Sequence, residues 1–298
     1  MSFLSGLDKF GLGNLKSEKV FEEKPQEKPK EVEKPKVVSA SAQVVDEKSL
    51  VFEKKYICPV CETEFTSLTV RTGKVHVKEI EIDLHPIYDL MDELKYDIVA
   101  CPDCGYAALA RYFASVTRRQ IDNIRQKVCM NYKPNNNYYE KYTYQDAVDR
   151  YQLALANAIV KDAKASEKAY LCLRYSWLLR GILKQDPSER DESYTKEKLE
   201  ELESESKELL KLALDGFVDA KQKESFPIAG MNTITFDYLL AALFYENGDY
   251  SSSKRLIGEL LVSRSAPSSI KERARDIKDL IAQKEGRNQI EEDDYDDA

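Results

Sequence analysis

Cys58-Pro59-Val60-Cys61 and Cys101-Pro102-Asp103-Cys104 are two copies of one pattern, Cys-Pro-x-Cys, with 39 residues between them. A two-residue spacer lets both sulfurs of one tight turn face the same ion. Two such turns supply the four soft ligands that tetrahedral zinc takes. Proline after the first cysteine stiffens each turn. Gly105, just past the second pair, can adopt the positive φ such a turn often needs, whereas Glu62 holds the equivalent place in the first knuckle and departs from the simpler pattern. The sequence thus predicts one structural zinc per chain on Cys58, Cys61, Cys101 and Cys104.

The separation of the pairs exceeds the commonest zinc spacing of about 15–20 residues, so the intervening segment must fold back to bring both turns to one ion. Thiol–disulfide chemistry is the rival reading of Cys-x-x-Cys. That motif normally opens a helix beside a βαβ unit, and neither knuckle has that setting. Four thiolates leave no open position for water, which argues against a catalytic zinc. His76 and His85, the two histidines, are expected on the surface or in packing rather than as ligands. Cys129 and Cys172 fall in helical apolar patterns and read as small buried hydrophobes.

Around the knuckles, residues 49–100 alternate in the manner of strands. Val70 to Glu79 interleaves β-branched with polar residues, and the parity change towards Ile80 and Ile82 suggests a bulge at Gly73. Tyr96 to Ala100 reads as a second strand leading into Cys101. From Ala110 the period becomes helical: Val116, Ile121, Ile124 and Val128 share a face, and Thr117 is placed to cap it. Pro134-Asn135-Asn136-Asn137 breaks the chain.

Beyond that break only helices are expected, over 139–160, 164–184, 188–223, 231–247, 250–263 and 268–284. Asp186-Pro187 fits a cap and first-turn proline for the third, and Gly248-Asp249 a tight turn between the last two hairpin helices. Tyr238 to Tyr250 resembles the middle of a tetratricopeptide repeat, with Leu240-Ala241 as the large–small pair and Phe244 one turn later. Ala147, Tyr151 and Ala154 resemble part of another copy. The alternative is an irregular bundle built on the same small-to-large packing.

Five parts follow: an N-terminal motif and linker (1–48), a zinc-ribbon-like domain with trailing helix (49–130), a short linker (131–138), a tetratricopeptide-like helical domain (139–285) and an acidic tail (286–298). The fold class is multidomain and mainly α, a small β-rich ribbon ahead of helices. Residues 17–48 are dominated by Lys, Glu, Pro and Val and lack the apolar side chains needed to offset ordering entropy. The apolar start, Phe3 to Phe10, is either a docking motif or a frayed terminus.

The formal net charge is −8, with six acids, Glu291, Glu292, Asp293, Asp294, Asp296 and Asp297, at the end of the chain. The rest is nearly neutral, so no strong field for nucleic acid or anionic membrane is expected. No signal peptide and no membrane span are read, and a cytoplasmic location follows, with reduced thiols.

Taken in order, Tyr56-Ile57-Cys58-Pro59-Val60-Cys61, Cys101-Pro102-Asp103-Cys104-Gly105-Tyr106-Ala107-Ala108, Ala169 to Arg174, Ser176-Trp177-Leu178 and Phe226-Pro227-Ile228 resemble the uncharacterised bacterial family DUF2225 over about residues 50–285. The resemblance implies a zinc-ribbon front and tetratricopeptide-like helices and no activity.

Three function classes remain as expectations. The first is a non-catalytic scaffold that binds a protein or peptide partner on a concave helical surface, with Arg174 and Arg180 as exposed readers of an acidic segment. The second is nucleic-acid binding through Arg111, Arg118 and Arg125, which recur every seven residues. Against it, residues 49–130 carry 11 basic and 12 acidic side chains. The third is an enzyme, with thiol redox as its most concrete form; no phosphate-binding, dinucleotide-binding, zinc-protease or serine-hydrolase motif is found.

Overall fold

The computed structural model describes residues 5–15, 46–134, 137–188 and 190–296, with side chains for all of these except Ser5 and 287–296. Residues 16–45, which hold most of the stretch read as a linker, and Phe3 and Leu4 of the apolar start lie outside the described residues.

Strands β1 (Val51–Ile57) and β2 (Glu64–Val70) pair antiparallel, with Ile57 opposite Glu64, so that the first knuckle is their turn. A second hairpin pairs β3 (Val77–Ile80) with β4 (Pro86–Tyr88). A third pairs β5 (Ile98–Ala100) with β6 (Ala107–Leu109); Ala100 faces Ala107 and the second knuckle is the turn. The expected continuous strand through Gly73 is corrected. Chain pairing ends at Val70, Gly73 sits at φ +74° in an open turn, and β3 starts only at Val77. Alternation of β-branched residues is shared by one bulged strand and by two strands flanking a turn, so the pattern alone did not separate them.

Seven α-helices follow among the described residues. Helix α1 (Arg118–Ile124) starts behind Thr117, whose Oγ1 accepts from Gln120 N while Gln120 Oε1 accepts from Thr117 N. A π-helical turn over Arg125–Cys129 extends it. Helix α2 (Tyr144–Val160) carries the same kind of capping box from Thr143 and Asp146. Then come α3 (Ala165–Lys184), α4 (Lys196–Lys223), α5 (Thr233–Glu246), α6 (Tyr250–Val262) and α7 (Ser268–Asp296).

Three expected boundaries shift. Helix α2 begins at Tyr144 and not at residue 139, behind the Thr143 cap. Asp186 does not cap α4; its Oδ1 accepts from Ser188 N (2.8 Å) and Ser188 Oγ (2.6 Å), closing a local turn, and α4 begins behind Thr195. Helix α7 runs beyond residue 284 into the segment read as an acidic tail. Gly286 weakens a helix by about 1 kcal/mol but leaves its N–H in place, and no proline follows it. The turn at Gly248 is as expected, with φ +80° and Asp249 capping α6. There Ser253 Oγ donates to Ala241 O (2.8 Å), and the small residues Ala241, Ala242 and Ser253 are buried where α5 and α6 meet.

One hydrophobic core joins the knuckles, β5, β6 and the helices. Polar bonds secure that junction. Arg150 on α2 donates to Ile98 O (2.9 Å), and Tyr151 OH donates to Asp97 Oδ2 (2.7 Å). The ribbon therefore packs directly on the helices, a point composition left open. Among the described residues no helix is long and apolar enough to cross a membrane.

Asp92 sits in this junction, accepting from Leu94 N (2.9 Å) and from Tyr144 OH of α2 (3.2 Å). Burial pushes its carboxyl up to about 6, from an ordinary 3.8. A raised acid adds stability that is complete below the unfolded value and lost as pH rises through the folded one. The window runs from about pH 4 to pH 6 and is worth about 2 kcal/mol after allowance for residual exposure. Asp92→Asn should therefore gain about 1–2 kcal/mol over the native protein at pH 8 in urea unfolding, with the difference shrinking by pH 4.5. A difference independent of pH would contradict this account.

Candidate metal centre

The four knuckle thiols converge. Cys58 Sγ lies 3.6 Å from Cys104 Sγ, Cys61 Sγ lies 3.6 Å from Cys101 Sγ, and all four sulfurs lie within 4.8 Å of one another. Zn–S bonds of about 2.3 Å at tetrahedral angles place sulfurs about 3.8 Å apart, so this donor set fits zinc without rearrangement. Cys58, Cys101 and Cys104 are buried and Cys61 is half-buried.

The two turns are built alike. Cys58 N donates to Thr63 O (3.0 Å) and Glu62 N to Cys58 O (2.9 Å). In the second knuckle Cys101 N donates to Tyr106 O (2.8 Å) and Gly105 N to Cys101 O (3.2 Å). Glu62 and Gly105 occupy equivalent places, with φ of 66° and 73°. The departure seen in the sequence is thus one of residue type and not of geometry. A non-glycine residue in this region costs about 1–2 kcal/mol. Glu62 is exposed, whereas a Cβ on Gly105 would enter the Tyr132 ring. Glu62→Gly should leave stability unchanged or raise it by up to about 1 kcal/mol, and Gly105→Ala should lower it by about 2 kcal/mol or more. Thermal unfolding of the zinc-loaded proteins checks both, and equal effects at the two sites would refute the argument.

Neighbouring elements hold the turns. Arg125, on the π turn, donates from Nε (3.0 Å) and Nη2 (2.6 Å) to Val60 O, clamping the middle of the first knuckle. Asn157 of α2 donates from Nδ2 to Gly105 O (2.9 Å), fixing the second. Thr63 Oγ1 lies 3.4 Å from Cys61 Sγ, placed to donate to a thiolate. Tyr56, Phe65, Tyr106 and Phe113 form an aromatic wall beside the site, with centroids 4.9–5.9 Å apart. Sequence reasoning passed over Asn157, although a fully buried amide in the otherwise apolar stretch Leu153–Ala158 is a signal.

The histidines and Cys172 fall elsewhere, whereas Cys129 adjoins the centre. His76 is exposed beside Asp89, and His85 is 2% exposed, stacked on Trp177 at 5.3 Å; neither joins the thiols. Cys172 is buried, and burial pushes its thiol up to about 12. Cys129, at the end of the π turn, is half-buried rather than buried, and its thiol lies beside that of Cys104.

The arginine series does not form one face. Arg111 precedes α1, donates to Ala229 O (3.2 Å) and lies over the rings of Tyr112 and Tyr170. All three are exposed, but Arg125 is spent on Val60 O and only Arg118 lies on α1.

Arg174 and Arg180 were expected to be exposed, and the structure corrects this. Arg174 pairs with Asp97, and Arg180 with Asp83 and, at 3.7 Å, Glu81. Asp83, 0% exposed, also accepts from Trp177 Nε1 (2.8 Å). His85 Nδ1 lies 2.7 Å from Glu81, which also pairs with Lys184. Burial works against the Glu81 carboxylate, but His85, Lys184 and Arg180 outweigh it and hold it down to about 2. The acidic segment that these arginines read belongs to the same chain: it is the β3–β4 hairpin and the turn before β5, carried by the insert between the knuckles.

Comparison with curated proteins gives no match, and comparison with solved structures gives none either. The family model described as "Uncharacterized protein conserved in bacteria (DUF2225)" matches residues 51–281, a span that holds both knuckles, the acidic insert and the helices as far as α7, and the chain belongs to this family.

Proposed function

We infer that the protein is a non-catalytic scaffold that binds a protein or peptide partner, and that one structural zinc holds its front in place. The observation that carries the reading is the closed set of four thiols, three of them buried, at the junction of ribbon and helices. Four sulfur ligands fill a tetrahedral ion, so the site's output is a rigid junction rather than a bound substrate. The helical pairs behind it leave an open groove of about 240 Å³ between α4, α5 and α6, floored by Val218, Leu240, Phe244 and Leu256 and rimmed by Arg255 and Glu259. Val218 and Phe244 are half-buried over the buried Leu240 and Leu256, and partly accessible apolar residues inside a charged rim are the usual makings of a peptide anchor site.

The test is capture from native extract with the full-length zinc protein and with Phe244→Ala/Arg255→Glu. A stoichiometric partner held by the first and released by the second supports the reading. No partner after cross-linking, or one indifferent to the groove, would count against it.

A further inference from the structure

The N-terminal segment Gly6–Leu15 reads Gly-Leu-Asp-Lys-Phe-Gly-Leu-Gly-Asn-Leu. It is seated on the body and not frayed. Leu7, Phe10, Leu12 and Leu15 are buried in the main core. Phe10 stacks on Tyr132 with centroids 6.0 Å apart, Lys133 N donates to Phe10 O (3.1 Å), and Lys9 pairs with Asp149 of α2. Two glycines are closely covered in this seat, and the second is required by its backbone. A Cβ on Gly6 would strike Gln152 Oε1, and one on Gly11, at φ +76°, would strike Asn131 O. Four apolar anchors, one ion pair, one backbone bond and, at Gly11, one position that admits no side chain make a specific docking pattern.

The groove that receives it lies between α2 (Asp149, Gln152) and the Asn131–Lys133 turn, beside the second knuckle. The contacts just described all join residues 6–15 to residues 131–152. Thirty residues, 16–45, separate the segment from the next described residue. Fully extended, that length spans about 100 Å, enough to reach the groove of the same chain or of a neighbour.

We propose that this groove is a peptide-docking site for a Gly-Leu-x-x-Phe-Gly-Leu segment, that the chain's own N-terminus is its resident occupant, and that the same segment of a second copy docks there in trans. The resident is favoured at ordinary concentrations, because a tether of this kind gives a local concentration in the millimolar range. A second copy competes when the resident is lost or occupied elsewhere. The inference stands independently of the groove between α4, α5 and α6.

A labelled synthetic peptide of residues 5–16 stands in for the second copy, and fluorescence anisotropy reads its binding to full-length protein. Phe10→Asp, which spoils the resident segment and leaves the groove intact, should bind it saturably. The native protein should bind at least ~10-fold more weakly, because its own segment competes. A peptide carrying Gly11→Val should not bind. Leu7→Asp is the second variant, used if Phe10→Asp loses native circular dichroism. Absence of binding by a folded, zinc-loaded variant would overturn the proposal. So would equal binding by native and variant proteins, or equal binding of the Gly11→Val peptide.

Discussion

Cys101→Ser, or stripping the metal with a chelator, should abolish amide protection across residues 51–129 and loosen α2 with them. Structural zinc contributes about 10–16 kcal/mol in small metal-folded peptides, while a whole domain is stable by about 5–15 kcal/mol. Loss of the ion therefore exceeds what the β-hairpins can supply alone: each is a two-stranded sheet, a unit marginal in water. From the sequence, the damage would be expected to stop at residue 130. The structure extends it. Asn157 bonds to the second knuckle, Arg150 and Tyr151 bond to residues 97–98, and the buried face of α2 shares its core with β5 and β6. Helices α5, α6 and α7 pack mainly on one another and should keep their protection. Hydrogen exchange followed by mass spectrometry separates the outcomes. Native exchange in the ribbon of the serine variant would mean that the thiols are not a structural metal site.

The site was legible because ligand spacing is a local property. Two Cys-x-x-Cys turns state their purpose within a few residues, and folding had only to bring them together. Helix existence was legible for the same reason, since the apolar period and the caps at Thr117 and Asp249 are read along the chain. What escaped was tertiary pairing. Nothing local says that Arg125 will reach Val60 O, or that Arg111 will fall short of α1 and turn to Ala229 O. A seven-residue recurrence implies one face only if the helix is continuous, and it is not. The N-terminal segment was legible as an apolar pattern, but its two glycines acquire meaning only beside Gln152 and Asn131.

The insert between the knuckles shows the same limit and also its physical use. The extra length over a minimal ribbon carries Glu81, Asp83, Asp92 and Asp97 onto α2 and α3, where Arg174 and Arg180 meet them. A metal on the four thiols would thus have a lever arm. By pinning both ends of the insert, it would present an acidic hairpin to the helical domain at fixed register. A ribbon that merely capped the chain would not need part-buried carboxylates facing part-buried guanidinium groups.

Asp83→Ala should be among the most damaging single changes outside the cysteines, at about 3–5 kcal/mol. It strands two donors at once, the Trp177 indole N–H and Arg180, and it removes the acceptor of His85 N (3.2 Å) that shapes the hairpin tip. Much of that cost is the penalty of an uncompensated charge rather than the worth of the pair. Arg180→Met should accordingly be costly alone, because Asp83, 0% exposed, then keeps the indole and the His85 N–H but loses its guanidinium partner. The double variant should cost less than the sum of the two by about 1–3 kcal/mol. Urea unfolding of the four proteins at one pH closes the cycle. Additive losses would show that the ion pair does not couple the hairpin to α3, and the insert would then be held by the His85–Trp177 stack and the Asp97–Arg174 pair instead. A coupling of the expected size would establish that the acidic hairpin is an internal ligand of the helical domain, bound with the chemistry that an external acidic segment would need to reproduce.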